Sequence, residues 1–244
     1  MHPLTPANAI EVWERAQGQP PLKQAMAMLE AAIPGRNRDD LKRLTVGRRD
    51  AFLLDMREQL FGSRVEALSS CPECSIPLDL NFDTSSIRCG EDEAQNRELT
   101  YIDGGFEIRF RLPTIEDLLL AADAGNDDLR RERLLDLCLL DARQEGKDRA
   151  THEIPEQILL EVVEKMGQED PQADVQLSLI CPQCHHQWYA TFDIVSFLWQ
   201  EIEGWSEDLL LQTHALASAY GWSEREIFAM SPLRRKRYLD MVRG

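Results

Sequence analysis

The chain has 244 residues, of which 43% are hydrophobic, and carries a formal net charge of -16 at pH 7. That is enough for one elaborate domain or two small ones, and no apolar run reaches the roughly eighteen residues of a membrane-spanning helix. A surface this acidic disfavours nucleic acid and anionic lipid as partners and suits solubility or docking onto basic protein surfaces.

Residues 1–64 are expected to form an N-terminal helical region. Pro6-Ala7 opens a short helix carrying Ile10, Val12 and Trp13. Pro20-Pro21 breaks it, LKQAMAMLEAAI forms a second, and Pro34-Gly35 ends that one. A third is expected from about Arg48 to Phe61, with Phe52, Leu53, Met56, Leu60 and Phe61 on one stripe and Gly62 as C-cap.

Residues 65–84 read VEALSSCPECSIPLDLNFD and onward, with Leu78, Leu80 and Phe82 alternating as in a strand. Residues 84–98 are polar and acidic and predict a loop. Within residues 85–174, LTYID and FEIRFRL flank Asp103-Gly104-Gly105, a β-hairpin pattern. Thr114 and Asp117 form a capping box for the helix holding LLLAA, and Asn126 caps DLRRERLLDLCLL, in which Cys138 is a core residue. Pro155 begins a helix with Ile158, Leu159, Val162, Val163 and Met166.

Residues 175–194 return to the earlier pattern with VQLSLICPQCHHQWYATFD. Residues 195–244 predict a C-terminal helical hairpin. IVSFLWQEIEGW is one helix, and Ser206 caps a second, EDLLLQTHALASAYG, ending at Gly221. Ser223 and Glu226 make a capping box, and Ser231-Pro232 starts the last helix.

The two cysteine segments carry the chemistry. Each opens with Val, passes through CPxC and closes on Phe-Asp, as a duplicated strand–knuckle–strand unit would. Two residues between cysteines let both sulfurs face one metal, and the proline fixes φ in the turn. One knuckle is half a site; together Cys71, Cys74, Cys181 and Cys184 offer the four thiolates of one closed structural zinc site. His185 and His186 follow Cys184 and stand as alternative ligands. A redox CxxC would sit at a helix N-terminus after a strand, whereas both flanks here read as strands. The opening residues lack a signal-peptide pattern, so a disulfide framework is not expected and folding in a cytoplasm is. Cys89 lies in the polar loop and has no assigned role. The fold class expected is α+β, mostly helical, built around a split zinc ribbon with a hairpin-plus-helices insertion. Because the zinc closes a long loop, its removal is expected to loosen the whole chain.

LTVGRRDAFLLDMREQLFG before a CPxC strand, FRLPT before a helical insertion, and the closing HALASAYGWSEREIFAMSPLRRKRYLDMV occur here in one order. In this the chain resembles the T4-type baseplate protein family of contractile phage tails and contractile injection systems, over roughly residues 40–244. The resemblance rests most on the C-terminal segment. It implies a non-enzymatic component or assembly factor near the baseplate hub, with hub, spike or wedge proteins as partners, free in the cytoplasm or incorporated in the particle. It brings no catalytic residues and no small-molecule substrate.

Arg234, Lys236 and Arg237, with Arg235 among them, make the one dense basic run. Four consecutive cations cannot share a helix face, so some must meet solvent, where a partner's acidic surface could use them. The alternative is a regulator in which a zinc ribbon accompanies a helix-turn-helix, with the basic helix on nucleic acid; the acidity of the chain weighs against it. G-x-S-x-G, P-loop and Rossmann patterns are all missing, so no catalytic residue is assigned.

Overall fold

In a computed structural model, which describes residues 4–89 and 97–243, the protein is α+β. The first elements are α1 (Pro6–Ala16), α2 (Pro21–Ala32), α3 (Arg38–Lys42) and α4 (Val46–Phe61), then β1 (Arg64–Ser70) and β2 (Pro77–Asp83). Next come β3 (Leu99–Asp103), β4 (Phe106–Phe110), α5 (Ile115–Ala122), α6 (Asp127–Cys138), β5 (Leu139–Gln144), β6 (Lys147–Asp148) and α7 (Glu156–Glu169). The last are β7 (Gln176–Ile180), β8 (Gln187–Thr191), α8 (Ile194–Tyr220), α9 (Glu224–Phe228) and α10 (Pro232–Arg243). Two compact units result: residues 1–34 with 195–244, and residues 35–194.

The first unit is helical. Thr5 caps α1, and Ala9, Ile10, Val12 and Ala16 turn its buried face inward. The longest helix, α8, runs 27 residues without a break, which corrects the expected start of a second helix at Ser206. Ser206 is fully buried mid-helix, its Oγ 3.5 Å from the Ala9 carbonyl. Leu198, Ile202, Leu209 and Leu216 are all buried at helical spacing, so one apolar face continues past Gly204 and Ser206. A serine or glycine inside a helix costs under about 1 kcal/mol, less than interrupting that face would. Beyond it, Leu216, Ile227 and Leu239 make a small core joined by Trp222, Phe228 and Tyr238. Ser223 and Glu226 cap α9 reciprocally, as expected.

Among its described residues the second unit holds three antiparallel sheets: β1-β2, β3-β4-β5-β6 and β7-β8. In the four-stranded sheet, Asp103 pairs with Phe106 across Gly104 and Gly105, which have φ of 57° and 80°. Two positive φ angles in a two-residue loop are the type I′ turn whose twist suits a hairpin. Strand β4 reads alternately buried and exposed. Its Phe106, Ile108 and Phe110 join Leu99, Cys138, Ala142, Ile158, Val162 and Met166 in a core roofed by α7.

Strands β5 and β6 were not expected. The helix ends at Cys138, and LLDARQ continues as strand, pairing Ile108 with Ala142. Its return turn is Glu145-Gly146, again with both φ positive, at 50° and 80°. Glu-Gly is a poor I′ signal beside Asn-Gly or Asp-Gly, so the pattern hid the hairpin. The Thr114–Asp117 capping box is present, and Asp117 also holds Arg111 through a fork of 2.5 and 2.8 Å. Part of the loop expected over residues 84–98 lies outside the described residues; residues 84–86 form a short 3-10 turn.

Candidate metal centre

The cysteines are positioned from the foot of two hairpins. Helix α4 starts at capping Thr45 and ends at Gly62, with φ of 87°, where Arg57 Nη1 donates to the Gly62 carbonyl at 2.7 Å. The chain leaves directly into β1. After β2, the Thr84 amide closes back on Ser63 O at 2.9 Å, while Thr84 Oγ1 donates to Glu58 on α4 at 2.5 Å. Hydrogen bonds to Thr84 and Arg88 hold the Glu58 carboxyl below its ordinary pKa. The second hairpin is anchored at the same place. Buried Gln172 accepts from the Cys89 amide at 2.9 Å and donates to Ile87 O at 3.3 Å, and Asp170 accepts from the Gly47 amide at 2.9 Å. Both hairpins therefore rise from α4 and the segments beside it.

Their tips are near copies. The Cys71 amide donates to Ile76 O and the Ser75 amide to Cys71 O, at 3.0 and 2.9 Å. Cys181 to His186 and His185 to Cys181 repeat these bonds at 2.9 and 3.0 Å. Ser75 and His185 both have positive φ, 59° and 57°, which turns each chain back after its second cysteine. At the base, Phe82 and Phe192, the two members of the repeated Phe-Asp, meet edge to face with ring centroids 5.6 Å apart.

This brings Cys71, Cys74, Cys181 and Cys184 together, all four sulfurs within 4.8 Å of one another. The close pairs cross between hairpins: Cys71 to Cys184 and Cys74 to Cys181, each 3.6 Å. A tetrahedron with metal–sulfur bonds of about 2.3 Å has sulfur–sulfur edges of about 3.8 Å, so the set fits one tetrahedral ion. A disulfide would need about 2.05 Å. Cys71 and Cys181 are buried, Cys74 and Cys184 exposed. The histidines stand outside the group, and His186 stacks on Trp188 instead.

The Cys181 and Cys184 thiols are driven in opposite directions. The Cys184 amide, 3.5 Å from Cys181 Sγ, is the main force lowering the Cys181 thiol to about 6. Against the lowering by the His186 backbone, desolvation and the neighbouring thiols push Cys184 up to about 12. A cation between the sulfurs would favour their thiolate forms.

Elsewhere the chemistry is structural. Cys138 is buried, and desolvation pushes its thiol up to about 12, as for an inert core cysteine. Sequence reasoning missed the buried pair Arg49–Asp50, with contacts of 2.6 and 3.1 Å; adjacent charges on an otherwise polar stretch gave no sign of burial. It also missed Gln172. In the basic run, Arg234, Lys236 and Arg237 are exposed, whereas Arg235 is buried.

A family model described as T4 bacteriophage base plate protein matches residues 17–199. The chain belongs to this family. The match takes in both knuckles and everything between them, and stops short of the C-terminal segment on which the resemblance leaned most. No curated protein and no solved structure matches the chain. Membership makes a structural component of the phage baseplate the coarse reading. Among the described residues, no helix is long and apolar enough to cross a membrane.

Proposed function

We propose that this baseplate-family protein is a non-enzymatic component or assembly factor of a contractile tail or contractile injection system, built on a split zinc ribbon. One zinc held by Cys71, Cys74, Cys181 and Cys184 would join the two half-ribbons and leave no open coordination position for a substrate. The observation that carries this is the mutual approach of the four sulfurs within 4.8 Å. Hub, spike or wedge proteins of the same particle are the partners this reading calls for. The division proposed along the chain is an N-terminal helical region to residue 64, half-ribbons at 65–84 and 175–194, an insertion at 85–174 and a C-terminal helical hairpin at 195–244.

The helix-turn-helix regulator fares less well. The basic run lies on α10, but one of its four cations is withdrawn from the surface, and the net charge of -16 opposes phosphate.

Two measurements test the reading. Protein purified without added metal should carry about one equivalent of zinc and lose it in the Cys71→Ser, Cys74→Ser double variant. Deletion of the gene should stop the production of contractile particles, and the wild-type chain should restore it. Four thiols that react freely with no metal present, or normal particles after deletion, would overturn the metal and the baseplate parts respectively.

A further inference from the structure

A cavity of about 670 Å³ lies in the second unit between β2 and β7, and neither knuckle lines it. Its apolar lining includes Leu80 and Phe82 of β2 and Leu177 and Leu179 of β7, all half-buried. Asp79 and Asp174 bring negative charge, and among the described residues no lysine, arginine or histidine lines it. Consecutive residues of both strands take part. Side chains alternate between the faces of a strand, so the cavity meets the edge of each strand as well as one face.

The register fixes which main-chain groups lie on those edges. Along an antiparallel pair, residues alternate between bonding across the ladder and facing away from it. The Cys181 amide bonds His186 O at 2.9 Å, and the Phe192 amide bonds Val175 O at 2.8 Å. Leu177 opposite Ala190 and Leu179 opposite Trp188 lie in phase with these closures and bond β8. Gln176 and Ser178 therefore turn N–H and C=O to the other edge, where among the described residues no strand pairs. On β2 the same count, from the bonds of Thr84 to Ser63 and Cys71 to Ile76, turns Asp79 and Asn81 outward. The two edges are not equally open. Strand β2 guards its own with Pro77, which has no N–H, and with Asp79 and Asp83. Strand β7 reads QLSLI, without charge, proline or bulge, and an edge so unguarded is a template for another strand.

We propose that an extended segment of another protein, alternating basic and apolar residues, lies in this cavity as an antiparallel strand on the free edge of β7. The inference rests on the baseplate reading only in taking the partner from the same particle. A row of donors and acceptors at strand spacing is met by another backbone, whereas a compact ligand would leave most of it unmet. Antiparallel addition is the commoner mode. Apolar side chains of the segment would cover Leu177 and Leu179, and its cations would meet Asp79 and Asp174. The chain's own residues 91–96, EDEAQN, have the wrong sign for this cavity.

The deciding experiment adds a short peptide of alternating lysine and valine to the full-length chain and follows amide exchange. Exchange at Gln176 and Ser178 should slow by about tenfold or more, while Leu177 and Leu179, already bonded to β8, stay unchanged. N-methylation of one alternate set of peptide amides should abolish the effect, and of the other set should spare it. No protein variant is involved, so misfolding cannot mimic the result. Protection at neither residue, protection of Asp79 and Asn81 in their place, or an equal effect from alternating glutamate and valine would overturn the proposal. So would protection of Gln176 and Ser178 without peptide, which in a dimer would assign the edge to a second copy and in a monomer to the chain itself. A second arm reads particles in a deletion strain. Ser178→Pro removes one edge N–H and no bond to β8, and the Gln176→Lys, Ser178→Lys variant repels a basic segment. Each should lower particle yield at least tenfold with metal content kept, and normal yield from both would overturn the assignment of the partner to the particle. Normal particles after deletion of the gene count against the baseplate role, and the peptide arm then decides this inference alone.

Discussion

The two hairpins that carry the cysteines and the insertion between them are made of similar strands, yet they are held together differently. In β2, β7 and β8 the inward residues are only half-buried, and in β1 only Val65 is fully enclosed. Strand β4 instead alternates fully buried and exposed residues, and its side chains belong to a cluster that includes Phe110 and Ile108 at 0% exposure. Two-stranded hairpins are marginal in water without a covering layer. The insertion has that layer in α7; the hairpins have each other, the Phe82–Phe192 contact and four sulfurs. Where apolar burial is thin, a metal is the usual substitute.

Breaking the metal link should have the largest effect. Chelation, or Cys181→Ser, is expected to destabilise the second unit by several kcal/mol, on the order of 5, since structural zinc contributes its binding energy to folding. The insertion should suffer less than the hairpins. Hydrogen exchange would show β1, β2, β7 and β8 exposed while amides of β3, β4 and β5 keep protection. Simultaneous loss in all three sheets would mean the insertion has no stability of its own, and an unchanged chain after proven metal loss would mean the sulfurs only decorate.

The converse experiment removes the apolar link. Phe110 is fully buried, and Phe110→Ala should cost about 3–5 kcal/mol. Here the expected damage lies in the insertion, with zinc content preserved. Loss of metal in this variant would show that the hairpins lean on the insertion core and would erase the contrast.

How much of this could be read from the chain follows from the range of each interaction. Caps act within three or four residues, so Thr114–Asp117, Asn126 and Ser223–Glu226 were legible, and each is present. The CPxC spacing exposes its chemistry because a metal restricts residue type as well as distance. Features decided by tertiary burial were not legible. Ser206 has the composition of a cap and the position of a core residue, and only the buried face it shares with Ile202 and Leu209 tells the two apart. Likewise LLDLCLLDARQ changes from helix to strand at Leu139, where the edge of β4 offers hydrogen bonds that outweigh local propensity.

Protons offer a gentler way to probe the foot of the hairpins. Burial raises the Asp50 carboxyl from the ordinary aspartate range to about 6, against the opposing pull of Arg49. A carboxyl with a raised folded pKa binds protons more readily in the native state than in the unfolded one. Its contribution therefore favours folding at low pH, declines between about pH 4 and 6 and is level above that. The span is as much as ~3 kcal/mol, from about 1.4 kcal/mol per pH unit. In the proposed zinc site, protonation of the four cysteine ligands would work in the other direction, weakening the hairpins in acid. Comparing wild type with Asp50→Asn between about pH 4.5 and 6.5 separates the two, since both keep the metal site. The variant should lose more stability in acid than wild type does; parallel pH profiles would show that Asp50 does not titrate in this window.

The smallest expected effects come from the turns, and their signs should be opposite in the two regions. His185 adopts φ of 57° just after the second cysteine of its knuckle, a left-handed conformation that costs an L-residue roughly 1–2 kcal/mol. Glycine removes that penalty but adds freedom to the unfolded chain. His185→Gly should thus stabilise by under about 1 kcal/mol, without loss of metal, because His185 lies outside the sulfur group. In the insertion, Gly105 already uses its freedom at φ of 80°. Gly105→Ala should destabilise by about 1–2 kcal/mol, although an added Cβ would meet only the flexible Glu145 side chain at 3.9 Å. Equilibrium denaturation of both variants reads the two signs directly. A destabilised His185→Gly variant that has also shed zinc would show that the imidazole supports the centre after all, and that the knuckle tip is held by more than its four sulfurs.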